Sequence, residues 1–167
     1  MQRTSLAQFP CSVARSLDAV GEWWSPLIVR DVYLGLRRFD QIQANLGISR
    51  KVLAARLERL VETGVLARRT YSERPPRQEY VLTQAGRELV PILLALMAWG
   101  DRWTAEPDGP PMHLRHTTCG ELSSPQIACD QCGEPVTVED IRPEPGPGAR
   151  IGPGTHEIAR LYGYADT

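Results

Sequence analysis

What this 167-residue chain lacks narrows its function before any motif is read. No apolar run approaches the roughly 20 residues that a membrane helix requires. The longest, Leu89–Trp99, contains Pro91 and is flanked by charges. The first residues lack the basic-then-apolar pattern of a secretory signal, so a cytoplasmic protein is predicted, with no membrane partner. No base is paired with a nucleophile, no carboxylates stand at a working spacing, and no glycine loop is built to cradle phosphate. An enzyme is therefore not expected. Internal repeats are absent, and the formal net charge is only −1.

What is present begins with a hydrophobic content of 42%, enough for one compact domain and an accessory piece. The near-zero charge conceals an asymmetry. Residues 1–104 hold 15 Lys+Arg against 10 Asp+Glu, whereas residues 105–167 hold 4 against 10. A basic body with an acidic tail region is a cue for nucleic-acid contact by the basic half. In a reducing compartment the four cysteines read as metal ligands or reactive thiols before disulfides.

Residues 1–11 carry no periodicity and read as an arm. Ser12 can cap a first helix, Val13–Val20, closed by Gly21. Pro26 suits the first turn of a second helix ending at Gly35. Arg37–Phe39 is extended, and Asp40 caps a third helix that ends near Leu46 and Gly47. Ser49 caps a fourth, Arg50–Thr63, in which Leu53, Leu57, Leu60 and Val61 form the buried stripe. Val65–Tyr71 and Gln78–Leu82 read as strands joined by a tip at Glu73–Arg77. Thr83 then caps a long helix to about Trp103, kinked or loosened by Pro91. The segment Glu106–Pro111 reads as a linker. The expected division is 10–104 for a first domain, 112–142 for a Cys-containing module and 143–167 for a Pro/Gly-rich tail with a turn or two of helix at Thr155–Tyr162.

The short turn Leu46-Gly47-Ile48-Ser49 between the third and fourth helices has the form a helix-turn-helix needs. In that motif the second helix enters the major groove and its N-terminal residues meet base edges. Ser49, Arg50 and Lys51 occupy that end and Arg56 lies farther along, where a structural ion pair is the competing role. The hairpin supplies Arg68, Arg69, Arg74 and Arg77. Residues 50–77 hold 8 basic and 3 acidic side chains, the most positive stretch of the chain. A solvated charged face is the bland alternative. It loses ground because the charges fall on the two elements that such a fold presents to double-stranded DNA.

The run from Cys11 through Glu22-Trp23-Trp24-Ser25-Pro26 to Arg30-Asp31 resembles the opening of HxlR-type regulators, relatives of the MarR group. So do Arg38-Phe39, Gly47-Ile48-Ser49, Leu53, Arg56-Leu57, Leu60, Gly64, Tyr80, Leu82-Thr83, Gly86 and the Leu89…Trp99-Gly100 helix. Ser12 departs from the proline common there. The resemblance spans residues 10–103 and implies a mainly α winged helix-turn-helix with a small β-hairpin wing. It further implies a homodimer joined by the first and last helices of this domain and a palindromic operator. Trp24 reads as core. Trp99 and Trp103 suit core, dimer seam or the wall of a pocket for a small-molecule effector, and the seam is favoured because a wide apolar face needs a cover.

His116-Thr-Thr-Cys119 and Cys129-Asp-Gln-Cys132-Gly133 are two ligand pairs, each with two intervening residues, separated by nine. Tight turns of this kind put both ligands on one side of a tetrahedral ion, and the pattern resembles a half-size zinc ribbon. A structural zinc bound by His116, Cys119, Cys129 and Cys132 is expected. The alternatives are a redox Cys129–Cys132 pair and a ribbon without metal, and His113 could replace His116. Cys11 is the other candidate thiol. It stands before a helix N-terminus with Arg15 four residues on, features that favour a thiolate, and some members of the resembled family sense oxidants near this point. A thiol-based redox regulator is thus the second functional reading, against a small packing residue at the seam.

Overall fold

Local capping explains where the third and fourth helices begin. The protein was studied as a computed structural model that describes residues 5–104 and 107–163. Helices α1 (Ser12–Val20), α2 (Trp24–Tyr33), α3 (Phe39–Leu46) and α4 (Arg50–Glu62) follow one another, then strands β1 (Leu66–Glu73) and β2 (Pro76–Leu82). Ser49 caps α4 as expected, its Oγ accepting the Val52 N–H at 3.2 Å. Two other caps differ from expectation. Cys11, not Ser12, holds the extended N-cap position of α1. At α3 the N-cap is Arg38, whose backbone N–H donates to Gln41 Oε1 at 3.0 Å, so Asp40 lies inside the first turn. Pro26 is the third residue of α2, still among the donors that a helix start leaves unbonded.

The core of this part is built from α2, α3, α4 and the base of the hairpin. Ile28, Val29, Ile42, Leu53, Leu57 and Leu60 are fully buried, and Ile48, Val65 and Leu66 nearly so. Each such side chain contributes roughly 1.5–3 kcal/mol relative to exposure. Trp24, expected in the core, is only half-buried, and its neighbour Trp23 is exposed. A fully buried carboxylate joins the core: Asp31 accepts from Asn45 Nδ2 at 2.8 Å and pairs with Arg30 at 2.7 Å, which ties α2 to α3.

The hairpin is antiparallel, with Leu66 opposite Leu82, Arg68 opposite Tyr80 and Arg69 opposite Glu79, and an irregularity between Thr70 and Ser72. It is anchored at its root. The Tyr80 N–H donates to the Arg37 carbonyl at 2.8 Å, and Thr83 Oγ1 donates to the Gly64 carbonyl at 2.6 Å.

The contacts divide the chain into two compact units: the described residues of Met1–Thr83 with those of Arg142–Thr167, and Gln84–Ile141. Sequence placed the boundary at the Glu106–Pro111 linker, of which Glu106 lies outside the described residues. Here the long helix α5 (Gln84–Trp103) groups instead with the Cys-containing segment. That segment carries the two-residue strands β3 (Leu114–Arg115) and β4 (Leu122–Ser123) and an isolated bridge between Ala128 and Pro135. The helix runs on through Pro91 and buries only Gly86 and Val90.

The tail groups with the N-terminal elements. Its helix α6 (His156–Tyr162) follows a buried Thr155 and buries Ala159. The tail backbone lies directly on the arm: a Cβ at Gly154, whose φ is +77°, would stand 2.5 Å from the Phe9 ring, and one at Gly152 would stand 2.9 Å from Pro10. Residues 164–167 of the expected tail are outside the described set. Among the described residues no helix is long and apolar enough to cross a membrane.

Candidate nucleic-acid interface

Helix α3 closes on Gly47, in the left-handed region at φ +64°, and three residues later α4 begins. This turn leaves Ser49, Arg50 and Lys51 exposed at the start of α4 while Leu53 and Leu57 point into the core. Arg50 is guided by its surroundings. Its guanidinium carbon sits 4.9 Å from the centre of the Phe39 ring, and Nη1 donates to Gln43 Oε1 at 3.4 Å. Gln43 Nε2 in turn donates to the Ile48 carbonyl at 3.5 Å, a long contact that ties it to the turn.

The same exposed face continues through Ala54 and Ala55 to Glu58. Both alanines are exposed on this basic helix, and small methyl groups allow close approach to a groove.

The remaining cations divide into two sets. Arg56 is held 3.0 Å from Glu22, and Arg59 is held 2.9 Å from the buried Asp18, so both lash α4 to the α1 region. Arg56, named from sequence as a DNA contact with an ion pair as its rival role, is engaged in that ion pair. On the hairpin, Arg68 pairs with Glu58, and that carboxylate, followed by the Tyr80 hydroxyl, raises the guanidinium pKa above its ordinary value. Arg69 donates through Nε to Glu79 at 2.8 Å. Arg74 and Arg77 are exposed at the hairpin tip, and among the described residues no ion pair is seen for either.

The two Cys-containing turns have matching geometry. In one, His116 Nδ1 lies 3.3 Å from Cys119 Sγ. In the other, the backbone N–H groups of Cys132 and then Gln131, followed by the Cys132 thiol, lower the Cys129 pKa. Each pair is thus together, but among the described residues no three His, Cys, Asp or Glu side chains gather into one metal-holding cluster. The alternative ligand His113 faces a different place, lining a cleft with Met97, Met112 and Leu122. Trp99 and Trp103 are more than half exposed and line a separate cleft of about 620 Å³ with Arg102, Ile127 and Val136.

Cys11 is a half-buried free thiol. The Arg15 guanidinium expected beside it donates to the Phe9 carbonyl at 3.3 Å and to Ser12 Oγ at 3.1 Å.

Comparison with known proteins places this geometry among regulators. The family described as HxlR-like helix-turn-helix matches residues 19–108. An uncharacterised HTH-type transcriptional regulator of Mycobacterium tuberculosis strain H37Rv is 50% identical over 137 residues, covering 82% of this chain and 87% of the relative. A match of that length in a chain of 167 necessarily includes residues 31–137, and with them both Cys-containing turns. The solved structure of PA1607, described as a candidate transcription factor, is 41% identical with a TM-score of 0.74. It covers 84% of this chain and 99% of its own. The redox regulator HypR, in its oxidised form, is 31% identical with a TM-score of 0.53, covering 57% of this chain and all of its own.

Proposed function

Because the chain belongs to the HxlR-like helix-turn-helix family and is an HTH-type transcriptional regulator, we propose that it binds a palindromic operator in double-stranded DNA as a homodimer in the cytoplasm. The observation that carries this reading is the exposed basic start of α4, with Arg50 set over Phe39 and Arg74 and Arg77 at the tip of the adjoining hairpin. A helix N-terminus with Ser49, Arg50 and Lys51 offers backbone N–H groups to a phosphate and cations to guanine edges. The hairpin cations meet backbone phosphate, which positions the protein without reading sequence.

The homodimer is supported by the exposed apolar face of α5, where Ile92, Leu96, Trp99 and Trp103 are each more than half accessible. A second copy covering that face would set two recognition helices on half-sites about 34 Å, or a multiple of it, apart. Titration against the region upstream of the protein's own gene, together with sedimentation, tests both parts. Tight binding to that region over random DNA by a dimer is expected. Equal affinity for both at moderate salt, or tight binding of one intact palindrome by a monomer, overturns it.

A second reading, a thiol-based redox regulator using Cys11, draws support from the similarity to HypR and from a free thiol at the start of α1. Treatment with a mild oxidant should then shift operator affinity in the native protein and leave Cys11→Ser unmoved. An identical response of the two proteins removes this reading.

A further inference from the structure

We propose that His116, Cys119, Cys129 and Cys132 bind one zinc ion per chain, which clasps two matched turns into a single module. The inference is independent of DNA binding and rests on three observations.

The first is that the two turns repeat the same backbone hydrogen bonds. The His116 N–H donates to the Glu121 carbonyl at 2.9 Å and the Gly120 N–H to the His116 carbonyl at 2.8 Å. In the second turn the Cys129 N–H donates to the Glu134 carbonyl at 2.9 Å and the Gly133 N–H to the Cys129 carbonyl at 2.9 Å. In both, a glycine follows the second ligand in the left-handed region, at φ +79° for Gly120 and +77° for Gly133. Two unrelated loops would have no reason to share donor, acceptor, register and backbone sign. A pair of half-sites does.

The second observation is the absence of a core. From residue 107 to residue 141 no side chain is buried, and Leu122, Ile127, Val138 and Ile141 are each more than half exposed. One two-residue ladder and one bridge are far below what a sheet needs to stand alone. Regular backbone without burial calls for a cross-link.

The third is the chemistry of the donor set. Three thiols and an imidazole suit a borderline-soft ion with tetrahedral preference, and zinc fits that set. Binding releases the three thiol protons to solvent and forms three Zn–S bonds and one Zn–N bond, with no oxidation. Four protein ligands leave no open position, so the ion is structural. Each turn is formed by itself, and because the four side chains are not gathered into one cluster among the described residues, the ion has to draw the two turns together where apolar packing does not.

The test is metal analysis of the full chain purified without added zinc. One zinc per chain is expected, falling below about a tenth of an equivalent in Cys129→Ser/Cys132→Ser. Cys11→Ser and His116→Cys should both keep it, the latter because a fourth thiolate replaces the imidazole. Cobalt added to the metal-stripped full chain should give the visible absorption of a tetrahedral thiolate site, which a loss of folding alone would not produce. Less than about a tenth of an equivalent in the native chain overturns the proposal. So does a Cys129–Cys132 disulfide found by mass, iron in place of zinc, or zinc undiminished in the double variant.

Discussion

Arg56 Nη2 lies 3.0 Å from Glu22 Oε2, and the pair ties the middle of α4 to the turn between α1 and α2. A cation in the most basic stretch of the chain therefore holds the helix instead of reaching outward. Both side chains are only about a quarter exposed, at 28% and 24%, so solvent screens the pair incompletely. Arg56→Ala should cost up to about 1 kcal/mol, or several degrees in Tm, and lower affinity for all duplexes in proportion. Thermal unfolding paired with a base-substitution series checks this. An unchanged Tm with altered base preference would return Arg56 to the DNA-reading set.

The hairpin cations should divide in the same way. Arg74 and Arg77 at the tip are free of ion pairs among the described residues, whereas Arg68 and Arg69 face Glu58 and Glu79. Arg74→Ala with Arg77→Ala should flatten the dependence of log affinity on log salt, equally on operator and random DNA. The slope should fall by about 1 for each phosphate that is no longer neutralised. Charge reversal at Arg68 or Arg69 would also place a carboxylate beside an existing one, so it should lower Tm as well as affinity. A salt slope indifferent to the tip variants would show that the hairpin does not touch the backbone.

On the proposed reading, base preference belongs to the start of α4. Arg50→Ala should relax discrimination at one base pair by about 1–3 kcal/mol. Gln43→Ala, which removes the amide that steadies Arg50, should reproduce part of that effect with no DNA contact of its own. Binding to a panel of single-base operator variants measures both. A uniform loss across the panel after Arg50→Ala would mark a phosphate contact.

Gly154→Ala should release the tail from the arm. The added methyl meets the Phe9 ring at 2.5 Å and the residue is held at φ +77°, so either the ring or the backbone must move. A left-handed non-glycine residue alone costs roughly 1–2 kcal/mol. Faster proteolytic cleavage within residues 150–163 is expected, with the helices of the recognition motif intact by circular dichroism. Cleavage at the native rate would mean that the arm and tail do not support each other.

Much of the fold was legible because its causes are local. The buried stripe Leu53, Leu57 and Leu60 follows from helical periodicity, and the start of α4 follows from the Ser49 cap. The two Cys-containing turns, each with its trailing glycine, were also readable from spacing, since the four repeated backbone bonds inside them span four or five residues. Those features, and the order of helices and hairpin, the sequence determined by itself. The long-range partners it did not. That Arg59 meets Asp18, 41 residues away, depends on how helices pack and not on spacing along one of them. The same holds for the seating of the Pro/Gly-rich tail on Phe9 and Pro10, and for the grouping of α5 with the Cys-containing segment. Charge in a sequence says that a cation is present. Only tertiary packing, by bringing or withholding a carboxylate, decides whether that cation binds its own chain or is left for DNA.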